Sequence, residues 1–101
     1  MAFRVNWQEQ AKNDLFSIRE YLRVSSPQYA RNLVEKVRYS AQALKHFPYK
    51  GRYVPEFDRE DVREIFVDSY RIIYVTHGQT VSILAVIHMA RDLSRIYIKF
   101  D

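Results

Sequence analysis

Apolar and polar positions recur at two different periods along this chain, and the change of period divides it. Residues 2–6, AFRVN, alternate Phe3 and Val5 with Arg4, the two-residue period of a short strand. Ala11, Leu15, Ile18 and Leu22 then fall on one helical face, with Lys12, Arg19, Glu20 and Arg23 off it. Asn6 and Glu9 have the spacing of a capping box, which predicts a helix from near Trp7 to about Val24. Ser26-Pro27 reads as N-cap and first residue of a second helix, with Ala30, Leu33, Val34, Val37, Ala41 and Leu44 as its apolar stripe. Pro48 forbids continuation. Two helices joined by so few residues form an antiparallel hairpin.

The period returns to two in the second half. PYKGRYVPEF, 48–57, is a turn-rich connector in which Gly51 is expected to take a positive φ. Strands are predicted near 62–67, 70–76 and 80–87, joined by Asp68-Ser69 and His77-Gly78-Gln79. Turns this short give a meander of antiparallel hairpins. The tail RIYIKFD alternates Ile96, Ile98 and Phe100 with Tyr97 and Lys99, as a last edge strand or a segment ordered by a partner. The order β-α-α-β-β-β predicts an α+β fold, with the helical hairpin packed on one face of an antiparallel sheet.

Composition narrows the class. The 101 residues suit a single domain over 1–101, with 48% hydrophobic residues and only two glycines. No run approaches the roughly 20 apolar residues of a membrane span, and the N-terminus lacks the apolar stretch of a signal peptide. The absence of cysteine excludes disulfides and thiolate metal sites. A soluble, cytoplasmic protein is expected. The net charge of +4 arises in the first half, where residues 1–47 hold eight Lys/Arg against four Asp/Glu. Residues 61–101 balance five against five, so the sheet is not the basic surface expected of a protein that grips RNA there.

Candidate chemistry gathers on the strands. Arg63 and Arg71 lie among apolar neighbours, and a charge in a half-buried strand is costly unless paired or working. A 68–69 turn sets Val67 opposite Tyr70 and Phe66 opposite Arg71, with Glu64 diagonal to Arg71 on the same face. Glu64–Arg71 then reads as a structural pair buried next to the helices. Arg63, on the opposite face near Tyr74, has no evident acidic partner and is the better functional candidate. His88 ends an apolar strand, where an imidazole suits proton transfer, although a hydrogen-bonded structural histidine is the commoner case. Arg91, three residues on, could hold a phosphate or carboxylate, with Asp92 beside it as a neutralising charge. His46, His77 and His88 show no metal-ligand spacing, and no phosphate loop or Gly-x-Ser-x-Gly motif occurs. No cofactor, metal or small-molecule ligand is expected. Arg19, Arg23, Arg31, Lys36 and Arg38 would line a nucleic-acid-binding hairpin, but a solvated helix surface with i,i+4 pairs such as Arg31–Glu35 explains them more cheaply.

Taken in order, these residues resemble the toxins of the ParE/RelE superfamily of bacterial toxin–antitoxin systems, over nearly the full length. The resemblance is carried by Trp7, Ala11, Asp14-Leu15, Ile18 and Tyr21; by Leu44, Phe47-Pro48, Gly51-Arg52 and Pro55-Glu56; and by Arg63-Glu64, Tyr70-Arg71-Ile72-Ile73-Tyr74, His88 and Ala90-Arg91-Asp92. It implies a small toxin neutralised by a cognate antitoxin, whose disordered segment folds over the helices and the sheet edge. The family splits into ParE-like inhibitors of DNA gyrase and RelE-like nucleases that cut mRNA on the ribosome. The nuclease alternative would use His88 for proton transfer and Arg63 with Arg71 or Arg91 for charge stabilisation. Lys50 is the only lysine between 46 and 98, unlike the lysine-rich sheet and connector of many RelE-like members. The resemblance therefore favours ParE-like inhibition, with Arg52, Arg63 and Arg91 as target contacts and no catalytic residues.

Overall fold

The computed structural model describes residues 2–100. A five-stranded sheet carries two helices on one face, in the order β1 (Arg4–Trp7), α1 (Glu9–Arg23), α2 (Pro27–Ala43), β2 (Arg52–Tyr53), β3 (Val62–Val67), β4 (Tyr70–His77) and β5 (Thr80–His88). The strands lie side by side as β1-β5-β4-β3-β2. The α+β layering expected from the sequence is present, and β3, β4 and β5 form the antiparallel meander. The sheet is nonetheless mixed, because β1 runs parallel to β5 with Arg4 opposite Thr80 and Trp7 opposite Ile83. A strand that returns through a helical crossover is free to pair parallel, whereas the short hairpin turns enforce antiparallel pairing.

That parallel pairing also moves the start of α1. Strand pairing extends through Trp7, and the Gln8 N–H donates to the Ile83 carbonyl at 2.9 Å. Gln8 is the N-cap, without a side-chain cap bond, so the Asn6–Glu9 capping box does not form. At α2 the expectation stands: Ser26 caps, its hydroxyl accepting from Tyr29 N–H, and Pro27 opens the helix.

The helical hairpin buries Ala11, Leu15, Leu33, Val37, Ala41 and Leu44 against Ile72, Tyr74, Val81 and Ile83. Full burial of a Leu or Ile side chain contributes ~1.5–3 kcal/mol, so this face supplies much of the stability. The opposite face is covered as well. Val54, Val62, Ile73, Leu84 and Ala85 pack there with Leu93 and Ile98, flanked by Phe57, Ile96 and Phe100. The tail is therefore not an edge strand. After a 3-10 turn at Leu93–Arg95 it crosses the second face. The Gln10 amide fastens it, donating to the Tyr97 carbonyl at 3.1 Å and accepting from Lys99 N–H at 3.5 Å. Asp101, the tail's last residue, lies outside the described residues.

Three local features set the strands. Between Ile73 and Tyr74 the register slips, with Tyr74 opposite Ile83 but Ile73 opposite Ala85, so Leu84 is an extra, bulged residue. Consecutive Leu84 and Ala85 thus both join the second core, and Val86 returns to the first. Asp68 takes the left-handed φ of 51°, which a short polar side chain tolerates, and Lys36 of α2 holds its carboxylate at 3.3 Å. Among the glycines positive φ falls on Gly78, at 59°, and not on Gly51. Gly51 is needed for space: a Cβ there would lie 2.6 Å from the Glu64 carbonyl oxygen and 2.7 Å from the Tyr74 hydroxyl.

Candidate functional site

Arg71 sits mid-sheet, opposite Phe66 on β3 and Ile87 on β5. Its Nε donates to Glu64 Oε1 at 2.6 Å, and Nη1 and Nη2 form a two-pronged pair with Glu56 at 2.8 and 2.7 Å. Only 6% of Arg71 and 1% of Glu64 is exposed, so this is a buried ion network that closes on itself. Hydrogen bonding to Glu56, then to Glu64, raises the guanidinium pKa beyond its usual value. The Arg71 fork in turn holds the Glu56 carboxyl below the usual range. Arg52 completes the network, its Nε 2.7 Å from Glu64 Oε2 and its guanidinium 4.9 Å from the centre of the Phe66 ring. The Glu64–Arg71 diagonal is as expected, but the pair lies on the face away from the helices. Its strand neighbours Val62 and Ile73 belong to the second core, so alternation places Glu64 and Arg71 there too.

Arg63 points to the other face. Its strand partner Tyr74 belongs to the helix-side core. Nη1 donates to the carbonyls of Gly51 at 2.8 Å and Tyr49 at 3.2 Å, and Nη2 to the Tyr53 hydroxyl at 3.3 Å. The Tyr53 and Tyr49 rings flank the cation at 4.5 and 5.4 Å. Arg63 thus clasps the connector to β3 through neutral acceptors and keeps an uncompensated positive charge.

His88 and Arg91 lie at the far end of the sheet. His88 faces Tyr70, its ring edge-on at 5.2 Å, and its Nδ1 accepts from Ala90 N–H at 3.0 Å. The Arg91 N–H donates to the His88 carbonyl at 3.0 Å, closing the turn after β5. On β4 the partners of Arg63 and His88 are Tyr74 and Tyr70, four residues or ~13 Å apart along the strand. The structure therefore joins Arg52 and Arg71 through Glu64, and leaves Arg63, His88 and Arg91 elsewhere.

Other partners were not legible in the sequence. Glu56 stood out only within the Pro55-Glu56 pair that carries part of the family resemblance, and nothing marked it as the second ligand of Arg71. Asp14 of α1 accepts from Val86 N–H at 3.0 Å, past the point where the pairing of β1 with β5 ends. Burial raises its carboxyl pKa, opposed by that hydrogen bond and by the charge of Arg91. On the hairpin, Arg31 donates to Gln28 rather than pairing with Glu35, and Arg19 and Arg23 both engage Glu20. Among the described residues no three His, Asp or Glu side chains gather to hold a metal ion. Nor is any helix there long and apolar enough to cross a membrane. A groove of about 600 Å³ lies between α1 and α2, floored by Trp7, Leu15, Phe16 and Val34 and rimmed by Lys12, Arg19 and Arg38.

A helical hairpin on one face of the sheet and a small second core under the tail on the other define the α+β architecture of this chain. The family profile described as the ParE toxin of the type II toxin–antitoxin system parDE matches residues 5–93, and the chain belongs to that family. No curated protein sequence matches it significantly. Among solved structures it is similar to a chain of the chromosomal ParDE system of P. aeruginosa, with TM-score 0.73 and 19% identity over 86% of this chain and 96% of that one. A chain of the RelBE2 toxin–antitoxin complex of Mycobacterium tuberculosis aligns with TM-score 0.60 and 22% identity, covering 87% and 99%. A mutant of the E. coli toxin RelE in the free state aligns with TM-score 0.65 and 16% identity, covering 89% and 86%. At these identities the structural matches establish the fold.

Proposed function

We propose that this toxin acts as a binding inhibitor of DNA gyrase, held in check by a cognate antitoxin. The observation that carries the reading is the closed network around Arg71. Nε, Nη1 and Nη2 are all engaged by Glu64 and Glu56, so the strand arginine is committed to the fold rather than to a phosphate. Metal-independent RNA cleavage requires a proton-transfer group and charge-stabilising donors around one phosphate. Here His88 lies some four residues along the sheet from Arg63, and Arg71 faces the other side. The antitoxin reading is supported by the α1–α2 groove, whose apolar floor and basic rim suit an acidic amphipathic segment that folds on binding.

The test is a supercoiling assay with purified toxin and gyrase from its own host, run beside pulse-labelling of DNA and protein synthesis after induction. Supercoiling should stop, and DNA synthesis should fail before protein synthesis. Intact supercoiling with translated mRNA cut on the ribosome would replace this reading with the RelE-like one.

A further inference from the structure

Positive charge without acidic counterparts is concentrated in one stretch of this chain. From residue 36 to residue 55 there are five Lys/Arg and no Asp or Glu. Lys36 is spent on Asp68, and Arg52 shares Glu64 with Arg71. Arg38, Lys45 and Lys50 form no ion pair among the described residues, and Arg63, which faces the connector, meets only neutral acceptors. The same stretch exposes large aromatic rings: Phe47 is 65% exposed, Tyr49 58% and Tyr53 52%. Two of these rings are held in place. Tyr49 packs edge-on against Phe3 at 6.0 Å, and Tyr49 and Tyr53 both lie against the Arg63 guanidinium, at 5.4 and 4.5 Å. Two shallow depressions flank Lys50, one lined by His46, Phe47, Pro48 and Tyr49, the other by Ser40, Arg52 and the β3 edge at Ile65 and Phe66.

We infer that this connector face binds single-stranded nucleic acid, with bases stacked on Phe47, Tyr49 and Tyr53 and the backbone running past Lys50. Exposed, pre-positioned rings interleaved with unpaired cations are what an unstacked strand requires, since every base offers a π-face and every linkage a charge. A protein partner for so basic a surface would have to bring matching carboxylates. A duplex hides the base faces that these rings would meet. The inference is independent of the gyrase reading, because the site is defined without gyrase and is tested without it.

The experiment is fluorescence anisotropy of the purified full chain with labelled 12-nucleotide single-stranded DNA, single-stranded RNA and duplex DNA at 50 and 200 mM KCl. Binding of single strands in preference to duplex, weakening at the higher salt, is expected. Phe47→Ala and Tyr53→Ala should each weaken it by about 5-fold or more, the size of one lost stacking contact. Lys50→Ala should weaken it and flatten its salt dependence, while Arg31→Ala on the hairpin leaves it unchanged. Circular dichroism confirms that each variant is folded. Relative affinity for the two single strands identifies which nucleic acid the face prefers. Absence of binding at 50 mM KCl would overturn the inference. So would a preference for duplex, or equal losses in Arg31→Ala and Lys50→Ala. Variants that lose only capture of a protein partner would reassign the face.

Discussion

The Gly51 N–H donates to the buried Tyr74 hydroxyl at 2.9 Å, and the Gly51 carbonyl accepts from Arg63 at 2.8 Å. One glycine therefore anchors the connector to two strands. Its α-carbon is so close to the Glu64 carbonyl that a methyl group has no room. Gly51→Ala is expected to cost about 1–3 kcal/mol by overpacking against backbone that cannot rotate away. Tyr74→Phe, which strands the Gly51 N–H, should cost about 1–3 kcal/mol for a different reason. Urea denaturation measures both. A neutral Gly51→Ala would show that the connector is not held at this distance.

Removal of Arg71 is expected to be among the most damaging single changes. Arg71→Met leaves the buried Glu64 with only the partly exposed Arg52, and breaking such a pair costs about 3–5 kcal/mol. Replacing both partners, as Arg71→Met with Glu64→Leu, should recover most of the loss, because no uncompensated charge stays buried. A double variant no better than Arg71→Met alone would mean that the network holds the connector by geometry, through Glu56, rather than by balancing charge.

Acid stability follows from the same residues. Arg71 depresses the Glu56 pKa and Arg59 depresses that of Asp61. Each contributes stability that is present above its unfolded pKa, near 4.5 for Glu and 3.8 for Asp, and is lost as pH falls through the lower folded value. Asp14 has the opposite sign. Burial raises its pKa above 3.8, so ionisation costs stability at neutral pH and protonation relieves that cost as pH falls through the folded value. At pH 7 Asp14→Asn, which keeps an acceptor for Val86 N–H, should be neutral or stabilising, whereas Asp14→Ala should cost about 1–3 kcal/mol. Equal losses in both would show that the charge itself is required.

How far the fold could be read from the chain depended on whether a feature was local. The Ser26-Pro27 start, the two helical stripes and the 68–69 register each rest on neighbours within a few residues, and each stands. The register even placed Glu64 beside Arg71. Which face they occupied was a question of what covered the sheet, and the answer lay in a tail whose alternating Ile96, Ile98 and Phe100 read equally well as a strand. The failed capping box has the same origin, since Asn6 and Trp7 were claimed by β5, some 75 residues away. The candidate arginines were visible as costly charges. Their division among a buried network, a clasp and an exposed turn depended on Glu56, Tyr49 and Tyr53, which no spacing rule connects to them.

The tail offers a direct check of that packing. Ile98→Ala should destabilise the protein by about 2–5 kcal/mol, because a buried side chain is removed from the second core. Gln10→Ala should do much less to global stability yet speed hydrogen exchange at Lys99, whose N–H it releases. Unchanged stability in Ile98→Ala would place the tail off the sheet in solution.

Toxicity separates the two activities at His88. Its Nδ1 is held by the Ala90 N–H and its ring by Tyr70, contacts that shape a turn and do not converge with Arg63 or Arg71. For a gyrase inhibitor, His88→Ala should stay folded and toxic, with DNA synthesis still the first process to fail after induction. Arg63→Ala should weaken toxicity only as far as the connector loosens, a change that thermal denaturation reports independently. Abolished toxicity in folded His88→Ala, with protein synthesis failing first in the parent chain, would instead make the imidazole a proton-transfer group. It would then require the sheet to bring His88 and the arginines together on the target.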